Sequence, residues 1–149
     1  MTVIVYRDGV MAADSLLTSN GRVESYADKI RCLNGWLVGI SGSWGVASEL
    51  FDWFEAECKD TIKRPPASIH VDDDKYPVNI MAVRKSDCAV YLIDGLGYPQ
   101  KVKGPFFALG SGGSIAVGAL EMGADAVAAV KAAIKHDCYC GGKVKALHV

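Results

Sequence analysis

Threonine at position 2 is the residue whose chemistry matters most in this sequence. If Met1 is removed, Thr2 carries a free α-amine and a hydroxyl on one short framework. A threonine hydroxyl is a weak nucleophile until a base takes its proton. A free α-amine has an unperturbed pKa of about 7.7–8.0 and can be that base, directly or through a water. We expect an aminopeptidase to remove Met1, because threonine is small; if Met1 stays, the base is lost.

A terminal threonine nucleophile needs further groups, and the sequence offers a residue for each. A lysine such as Lys29 would favour the alkoxide and lower the pKa of the amine. An aspartate such as Asp14 would hold that lysine in place. A glycine N–H would bind the developing oxyanion, and one such donor contributes about 3–4 kcal/mol. Taken singly, Lys29 reads as a surface lysine and Asp14 as a turn cap.

The glycine-rich stretch Gly110-Ser111-Gly112-Gly113 is a second candidate site. Loops of this kind, between a strand and a helix, can hold phosphate at the helix N-terminus. The dinucleotide fingerprint would require glycine at position 115, where Ile115 stands, and no Gly-Lys-Ser/Thr sequence follows. The sequence therefore argues against nucleotide binding.

Metal binding and disulfides are not expected either. The group of His136, Cys138, Cys140 and His148 lacks the usual zinc spacing, and Asp72-Asp73-Asp74 lacks the spacing of a calcium loop. The five cysteines are an odd number in apolar surroundings, which favours buried free thiols in a reducing compartment. We predict no cofactor and no metal.

Length and composition indicate one globular domain spanning residues 1–149. Hydrophobic residues make up 50% of the chain and charged residues 22%. The net charge of −1 gives no electrostatic footprint for nucleic acid or an anionic membrane. No signal peptide is recognisable, and no apolar run is long enough to cross a bilayer. These features predict a cytoplasmic protein that binds neither nucleic acid nor membrane.

Residues 1–41 carry the pattern of an antiparallel sheet. Asp8-Gly9, Asn20-Gly21 and Asn34-Gly35 are dipeptides typical of tight hairpin turns. They separate short apolar runs that we predict as strands, at residues 3–6, 10–13, 16–19, 22–25, 29–33 and 36–41.

The pattern then changes to helical spacing. Apolar residues three and four apart predict a helix over 44–62, with Ser43 as its N-cap. A surface loop is expected at 63–77, and strands at 78–84, 88–93, 98–103 and 106–109. Helices at 114–122 and 124–136 and a strand at 143–149 complete the chain. Strands segregate from helices, which predicts an α+β fold with antiparallel sheet packed on helices.

Six segments in order resemble threonine-type N-terminal-nucleophile hydrolases, and most closely the proteasome β subunits and the bacterial proteolytic subunit HslV. The segments span most of the chain, and none is specific alone. They are Thr2-Val3-Ile4-Val5, Val10-Met11-Ala12-Ala13-Asp14, Asp28-Lys29-Ile30, Gly39-Ile40-Ser41-Gly42-Ser43, Ala108-Leu109-Gly110-Ser111-Gly112-Gly113 and Asp137-Cys138-Tyr139-Cys140-Gly141-Gly142.

The resemblance implies a four-layer αββα sandwich and a peptidase mechanism. Thr2 would be the nucleophile, Lys29 the catalytic lysine and Asp14 its partner. The resemblance further implies that the Gly42 N–H binds the oxyanion and that Ser111 and Asp137 orient the amine. Ile40 would line an apolar pocket for the substrate residue that precedes the cut. It also implies a homo-oligomeric ring, as a stacked double ring, that receives polypeptides from a separate ATPase unfoldase.

The sequence also departs from this family. Cys140 replaces the usual hydroxyl residue, one threonine opens the chain where the family has two, and the segment before Val78 is short. An alternative is therefore a catalytically inactive relative that forms rings or binds a partner. Hydrolysis of small amides on the same fold is a third hypothesis, because a fold does not fix a substrate.

Overall fold

The computed structural model describes residues 2–69, 77–95 and 97–149. The predicted loop at 63–77 lies partly outside these ranges, and Asp72-Asp73-Asp74 wholly so. The elements, in chain order, are β1 (Ile4–Arg7), β2 (Val10–Ala13), β3 (Leu16–Ser19), β4 (Arg22–Tyr26), β5 (Ile30–Leu33), β6 (Trp36–Ser41), α1 (Trp44–Glu57), β7 (Asn79–Arg84), β8 (Val90–Asp94), β9 (Gln100–Val102), β10 (Phe106–Leu109), α2 (Gly113–Glu121), α3 (Ala126–His136) and β11 (Lys145–His148).

The strands form two main antiparallel sheets and a separate hairpin. The first sheet has the order β10-β1-β2-β11, and the second has the order β5-β6-β7-β8-β9. The hairpin β3-β4 lies in the chain between β2 of the first sheet and β5 of the second. Every residue of β4 is exposed. Each pairing within the sheets is antiparallel, as the turn dipeptides predict.

Three hydrophobic clusters show how the layers stack. One cluster joins α2 and α3 to the outer face of the first sheet, through residues such as Val5 and Val130. A second lies between the two sheets and includes Ile4 and Met81. A third joins α1 to the outer face of the second sheet, through Phe51 and Val38. The molecule is therefore a four-layer αββα sandwich, and the predicted α+β fold class is confirmed.

The three turn dipeptides behave as predicted. Asp8, Asn20 and Asn34 have φ near +50°, and the glycine after each also has positive φ. Two successive left-handed residues are what a type I′ hairpin turn requires, and the twist of this turn matches that of the flanking strands. The turns therefore set the strand pairing that brings Asp14 opposite Val3.

Helix α1 is shorter than its sequence pattern predicts. It ends at Glu57 rather than at residue 62, and the Cys58 backbone is extended. The Asn34 amide donates to the Glu55 and Cys58 carbonyls, and the Trp36 indole donates to the Lys59 carbonyl. These donors from the β5–β6 hairpin satisfy carbonyl groups at and beyond the end of the helix. Ser43 is the N-cap residue, although its side chain makes no capping hydrogen bond.

No helix in the described part of the chain is long and apolar enough to cross a membrane.

Candidate active site

Thr2 lies just before β1 and is held by the glycine-rich loop that follows β10. Thr2 is buried, with 5% of its surface exposed. The Thr2 backbone N–H donates to the Ser111 Oγ over 3.3 Å, and the Thr2 carbonyl accepts from the Gly112 N–H over 3.1 Å. Both backbone polar groups of Thr2 are thus fixed by residues 109 or 110 positions away in sequence.

Gly110 and Gly112 permit this close approach. Gly110 has φ of +92°, and a Cβ there would overlap the Thr2 carbonyl group. A Cβ at Gly112 would lie 2.9 Å from the Cys140 Sγ and 3.0 Å from the Val3 Cβ. The glycines of the stretch 110–113, which has the composition of a phosphate-binding loop, therefore allow the Thr2 backbone to pack against this loop.

A buried ion pair contacts Val3, the residue after Thr2. The Lys29 Nζ is 2.9 Å from the Asp14 Oδ1, and their side chains are 1% and 0% exposed. Asp14 Oδ1 also accepts from the Val3 N–H over 3.1 Å, and Oδ2 accepts from the Gly141 N–H over 3.1 Å. Three donors on one carboxylate hold it rigidly and offset much of the cost of removing its charge from water. Asp14 is therefore a buried anchor and not only a turn cap.

Burial perturbs the acid–base behaviour of Lys29. Desolvation lowers the pKa of its ammonium below the usual value, and the nearby Asp14 carboxylate opposes that shift. A buried lysine with one carboxylate partner is a common feature of sites where a proton or a charge must be controlled. Lys29 is thus not the surface residue that it would be if read alone.

The segment 137–142 closes one side of the site. Cys140 is 5% exposed, and its Sγ lies 3.9 Å from the Ser111 Oγ. Burial, reinforced by the Asp14 and Asp137 charges, raises the pKa of the Cys140 thiol to about 12. The thiol is therefore protonated at neutral pH and serves as a weak hydrogen-bonding partner for Ser111.

For three of the predicted site residues, the structure gives contacts with groups other than Thr2. The Asp137 carboxylate accepts from the Tyr139 N–H over 2.8 Å, and within the described residues it makes no hydrogen bond with Thr2. Ile40 is 2% exposed and packs in the cluster under α1. Gly42, directly after β6, has φ of +120°, and a Cβ there would meet the Val78 backbone at 2.9 Å. The roles of all three remain predictions.

Two contacts of the site were not predicted from the sequence. Gly112 binds the Thr2 carbonyl and Gly141 binds Asp14, each through a backbone N–H. A backbone N–H donor does not depend on the type of side chain, so only the presence of glycine at these positions could have indicated these contacts. Gly141 also accepts from the Ser15 and Leu16 N–H groups, which ties this segment to β3.

The cysteines correct one expectation. All five are free, but only Cys58 and Cys140 are buried. Cys32, Cys88 and Cys138 are exposed, because they lie on an edge strand, in a hairpin turn and after α3, where no layer covers them. In the described part of the chain, no group of three or more His, Cys, Asp or Glu residues is placed to hold a metal ion.

The arrangement brings together groups suited to acyl-transfer chemistry. Thr2 contacts Ser111, and the Asp14 carboxylate joins Lys29 to the N–H of Val3, the residue after Thr2. A hydroxyl residue whose nitrogen and carbonyl are both fixed, and whose neighbour in the chain contacts a buried ion pair, is a pre-organised candidate nucleophile.

Known structures with this fold support the assignment of the architecture. Thiobacillus denitrificans BPH matches with a TM-score of 0.72 and 22% identity, over 98% of this chain and 95% of BPH. Its complex with epoxomicin matches with a TM-score of 0.71 and 22% identity, over 98% and 96%. Eukaryotic HslV from Trypanosoma brucei matches with a TM-score of 0.68 and 20% identity, over 99% of both chains. The chain thus has an HslV- and proteasome-like fold.

No protein-family model and no curated protein sequence matches the chain.

Proposed function

We propose that this chain is a threonine-type endopeptidase subunit whose nucleophile is Thr2, exposed by removal of Met1. The observation that carries the proposal is the Thr2 nitrogen 3.3 Å from the Ser111 Oγ, in a segment whose next residue, Val3, donates to the Asp14 carboxylate of the buried Lys29–Asp14 pair. The HslV- and proteasome-like fold supports it, because epoxomicin is bound by a protein of the same fold.

The reaction would proceed through an acyl-enzyme. The Thr2 Oγ attacks the peptide carbonyl while the freed Thr2 amine takes the hydroxyl proton. The Gly42 N–H stabilises the oxyanion, and the protonated amine then gives its proton to the leaving amine. Water resolves the acyl-enzyme with the same amine as base, which regenerates the Thr2 hydroxyl.

Lys29 would control the charge at the nucleophile. Its ammonium, held by Asp14 in a dry environment, favours the alkoxide form of Thr2 and lowers the pKa of the amine. The amine is then unprotonated at neutral pH and able to accept a proton. The buried ion pair at 2.9 Å supports this role, because a fixed charge acts more strongly where water is excluded.

Ser111 and Asp137 would orient the amine, and Ile40 would shape an apolar pocket for the residue before the cut. The Ser111 Oγ contact with the Thr2 nitrogen supports the first role directly. Asp137 would act through its segment, which carries Cys140 and Gly141 into the site. Ile40 would need to become more exposed than 2% to contact a substrate.

Assembly and location follow from the same proposal. We infer a homo-oligomeric ring, stacked as a double ring, which confines the site and receives polypeptides from a separate ATPase unfoldase. The likeness to eukaryotic HslV supports this inference. The free cysteines favour a reducing compartment, and we therefore propose a cytoplasmic location. No cofactor or metal is needed by the mechanism.

The proposal is tested by intact mass and N-terminal sequencing, followed by peptide turnover. A chain that begins at Thr2 should hydrolyse peptides, Thr2→Ser should retain part of the rate, and Thr2→Ala should lose it while keeping assembly. Turnover retained in Thr2→Ala would refute the mechanism. Short peptides compared with simple amides would separate endopeptidase from amide hydrolase.

A second candidate function is a catalytically inactive relative that forms rings or binds a partner. Cys140 is the observation that favours it, because a protonated thiol 3.9 Å from the Ser111 Oγ is a weaker partner than a hydroxyl. This alternative predicts a correctly trimmed chain that neither turns over peptides nor reacts with an epoxyketone at Thr2.

A further inference from the structure

Arg31 is a charged residue that the candidate active site does not use. It lies in β5, an edge strand of the second sheet, two residues after Lys29. Its side chain is partly exposed, and among the residues that the structure describes it forms no ion pair within 4.0 Å. This includes the exposed carboxylates of the neighbouring helix α1, which are Glu49, Asp52, Glu55 and Glu57. No described carboxylate therefore offsets the charge of this guanidinium at close range.

The strand pairing places Arg31 on the same face of the second sheet as Ile40. Arg31 pairs directly with Val38, and the Ile40 N–H donates to the Lys29 carbonyl over 3.2 Å. Val38 and Ile40 both belong to the cluster under α1. Residues that lie directly opposite on antiparallel strands share a face, and their diagonal neighbours are within reach of long side chains. Arg31 is therefore a diagonal neighbour of Ile40 on the face that α1 covers.

The ring of Phe51 fixes the position of the Arg31 guanidinium. The Arg31 Cζ lies 4.3 Å from the centroid of the ring. Phe51 belongs to α1, is 1% exposed and is in the same cluster as Ile40. A guanidinium over an aromatic face is held by cation–π attraction. Its five N–H donors lie in the plane of the group, so stacking on the ring leaves them free to bind a carboxylate in two places at once.

Ile40 lies between Arg31 and the place proposed for the reacting carbonyl. Gly42, whose N–H would bind the oxyanion, follows Ile40 by two residues, and Val38, opposite Arg31, precedes it by two. Gly42 and Val38 are thus roughly 13 Å apart, at about 3.3 Å per residue. The long side chains of an arginine and of a substrate glutamate would enter this interval from its two ends. The side chain of the residue before the cut would then pass Ile40 and end at Arg31.

We propose that Arg31 determines specificity, and that the preferred substrates are peptides with glutamate immediately before the cut. Ile40 would pack against the CH₂ groups of the glutamate, and the Arg31 guanidinium would bind its carboxylate through charge-assisted hydrogen bonds. Ile40 alone favours an apolar residue at this position, and Arg31 changes that preference to an acidic one. The inference rests on the proposed peptidase function, because it names the substrate class of the same site.

The test compares kcat/KM for four peptides that differ only in the residue before the cut, which is glutamate, glutamine, leucine or lysine. A chain shown by mass to begin at Thr2 should cleave the glutamate peptide fastest, at least about tenfold faster than the glutamine peptide of equal size. Arg31→Gln should bring this ratio close to one, and Arg31→Glu should make the lysine peptide the better substrate. The control Lys101→Gln removes an exposed positive charge from β9, at the other edge of the same sheet, and should leave the ratio unchanged.

A binding measurement separates this inference from the peptidase proposal. Calorimetry on the Thr2→Ala chain, with product peptides that end in glutamate or in glutamine, needs no turnover. We expect about tenfold tighter binding of the glutamate peptide, and loss of that preference when Arg31→Gln is added. Such binding without any cleavage by the trimmed chain would refute the peptidase function and retain the role of Arg31. Cleavage of the glutamine or leucine peptide as fast as the glutamate peptide, a preference that survives Arg31→Gln, or equal binding of the two product peptides would each overturn the inference and leave the peptidase function standing.

Discussion

A buried ammonium is costly in a folded protein unless a carboxylate pairs with it. The Asp14 carboxylate contacts Lys29 and two backbone N–H groups, so its removal would take an acceptor from three donors at once. At the scale of single residues, this carboxylate is the point on which the geometry of the candidate site depends.

We therefore predict that Asp14→Ala lowers the free energy of unfolding by about 3–5 kcal/mol, because it removes the carboxylate that pairs with a buried ammonium. Urea denaturation followed by circular dichroism would measure the change. The control is Glu57→Ala, which removes the exposed partner of Lys63 and should cost less than about 1 kcal/mol. Similar losses in the two variants would contradict the assigned role of Asp14.

Cys140 should make the free energy of unfolding depend on pH in the alkaline range. The pKa of its thiol rises from the ordinary 9.0 to about 12, so the folded chain holds this proton more tightly than the unfolded chain. The stabilisation is complete below pH 9 and is lost as the pH rises toward 12, because the unfolded thiol ionises first. We predict a falling free energy of unfolding across this window.

Denaturation at pH 8, 9.5 and 11 would measure this slope. Cys140→Ala should make it shallower, since the perturbed thiol is gone. Tyr6 contributes in the same direction between pH 10 and about 12, so some slope remains in that variant. An unchanged slope in Cys140→Ala would show that the thiol is not protected as described.

At the scale of elements, the loop from β10 to α2 decides where Thr2 lies. Gly110 combines φ of +92° with contact against the Thr2 carbonyl, whereas Gly21 has φ of +74° and open space around it. We predict that Gly21→Ala costs about 1 kcal/mol from backbone strain alone. Gly110→Ala should cost at least about 2 kcal/mol more, because the loop must move away from Thr2.

Thermal or urea unfolding of the two glycine variants would give the difference directly. The same preparation of Gly110→Ala should also show impaired reactivity at Thr2. Equal destabilisation in both variants would mean that the Thr2 carbonyl does not press on this loop.

The local patterns predicted most of the elements, because their signals lie within a few residues. The turns Asp8-Gly9, Asn20-Gly21 and Asn34-Gly35 formed as predicted, and strand ends moved by only one or two residues. The end of α1 was wrong by five residues, since the donors that accompany it come from Asn34 and Trp36 across the fold. Contacts of this kind have no local signal.

In the site, too, some contacts could be predicted from the sequence and others could not. The resemblance implied a contact between Thr2 and Ser111 and another between Asp14 and Lys29, and the structure has both; the catalytic roles of these residues stay predictions. The contacts made by Gly112 and Gly141 could not be predicted, because they use backbone N–H groups. The exposure of Cys32, Cys88 and Cys138 depends on which surfaces the layers leave uncovered, which spacing alone does not reveal.

At the scale of the whole molecule, the proposed ring makes a prediction about size. Exposed apolar side chains lie on the hairpin β3-β4 and at the turn after α2, with Val23 63% exposed, Tyr26 62% and Met122 88%. Sedimentation velocity should therefore detect a discrete species several times the 15.9 kDa mass of the chain. A single monomeric boundary at micromolar concentration would contradict the ring.

We propose that Thr2 is a reactive N-terminal nucleophile, and this can be tested on the residue itself. The most direct measurement is incubation with epoxomicin of a chain shown by mass to begin at Thr2, with the adduct mapped by tandem mass spectrometry. We predict one adduct per chain, on Thr2, lost in Thr2→Ala and greatly slowed in Lys29→Met. A correctly folded chain that begins at Thr2 and forms no adduct there would contradict the account.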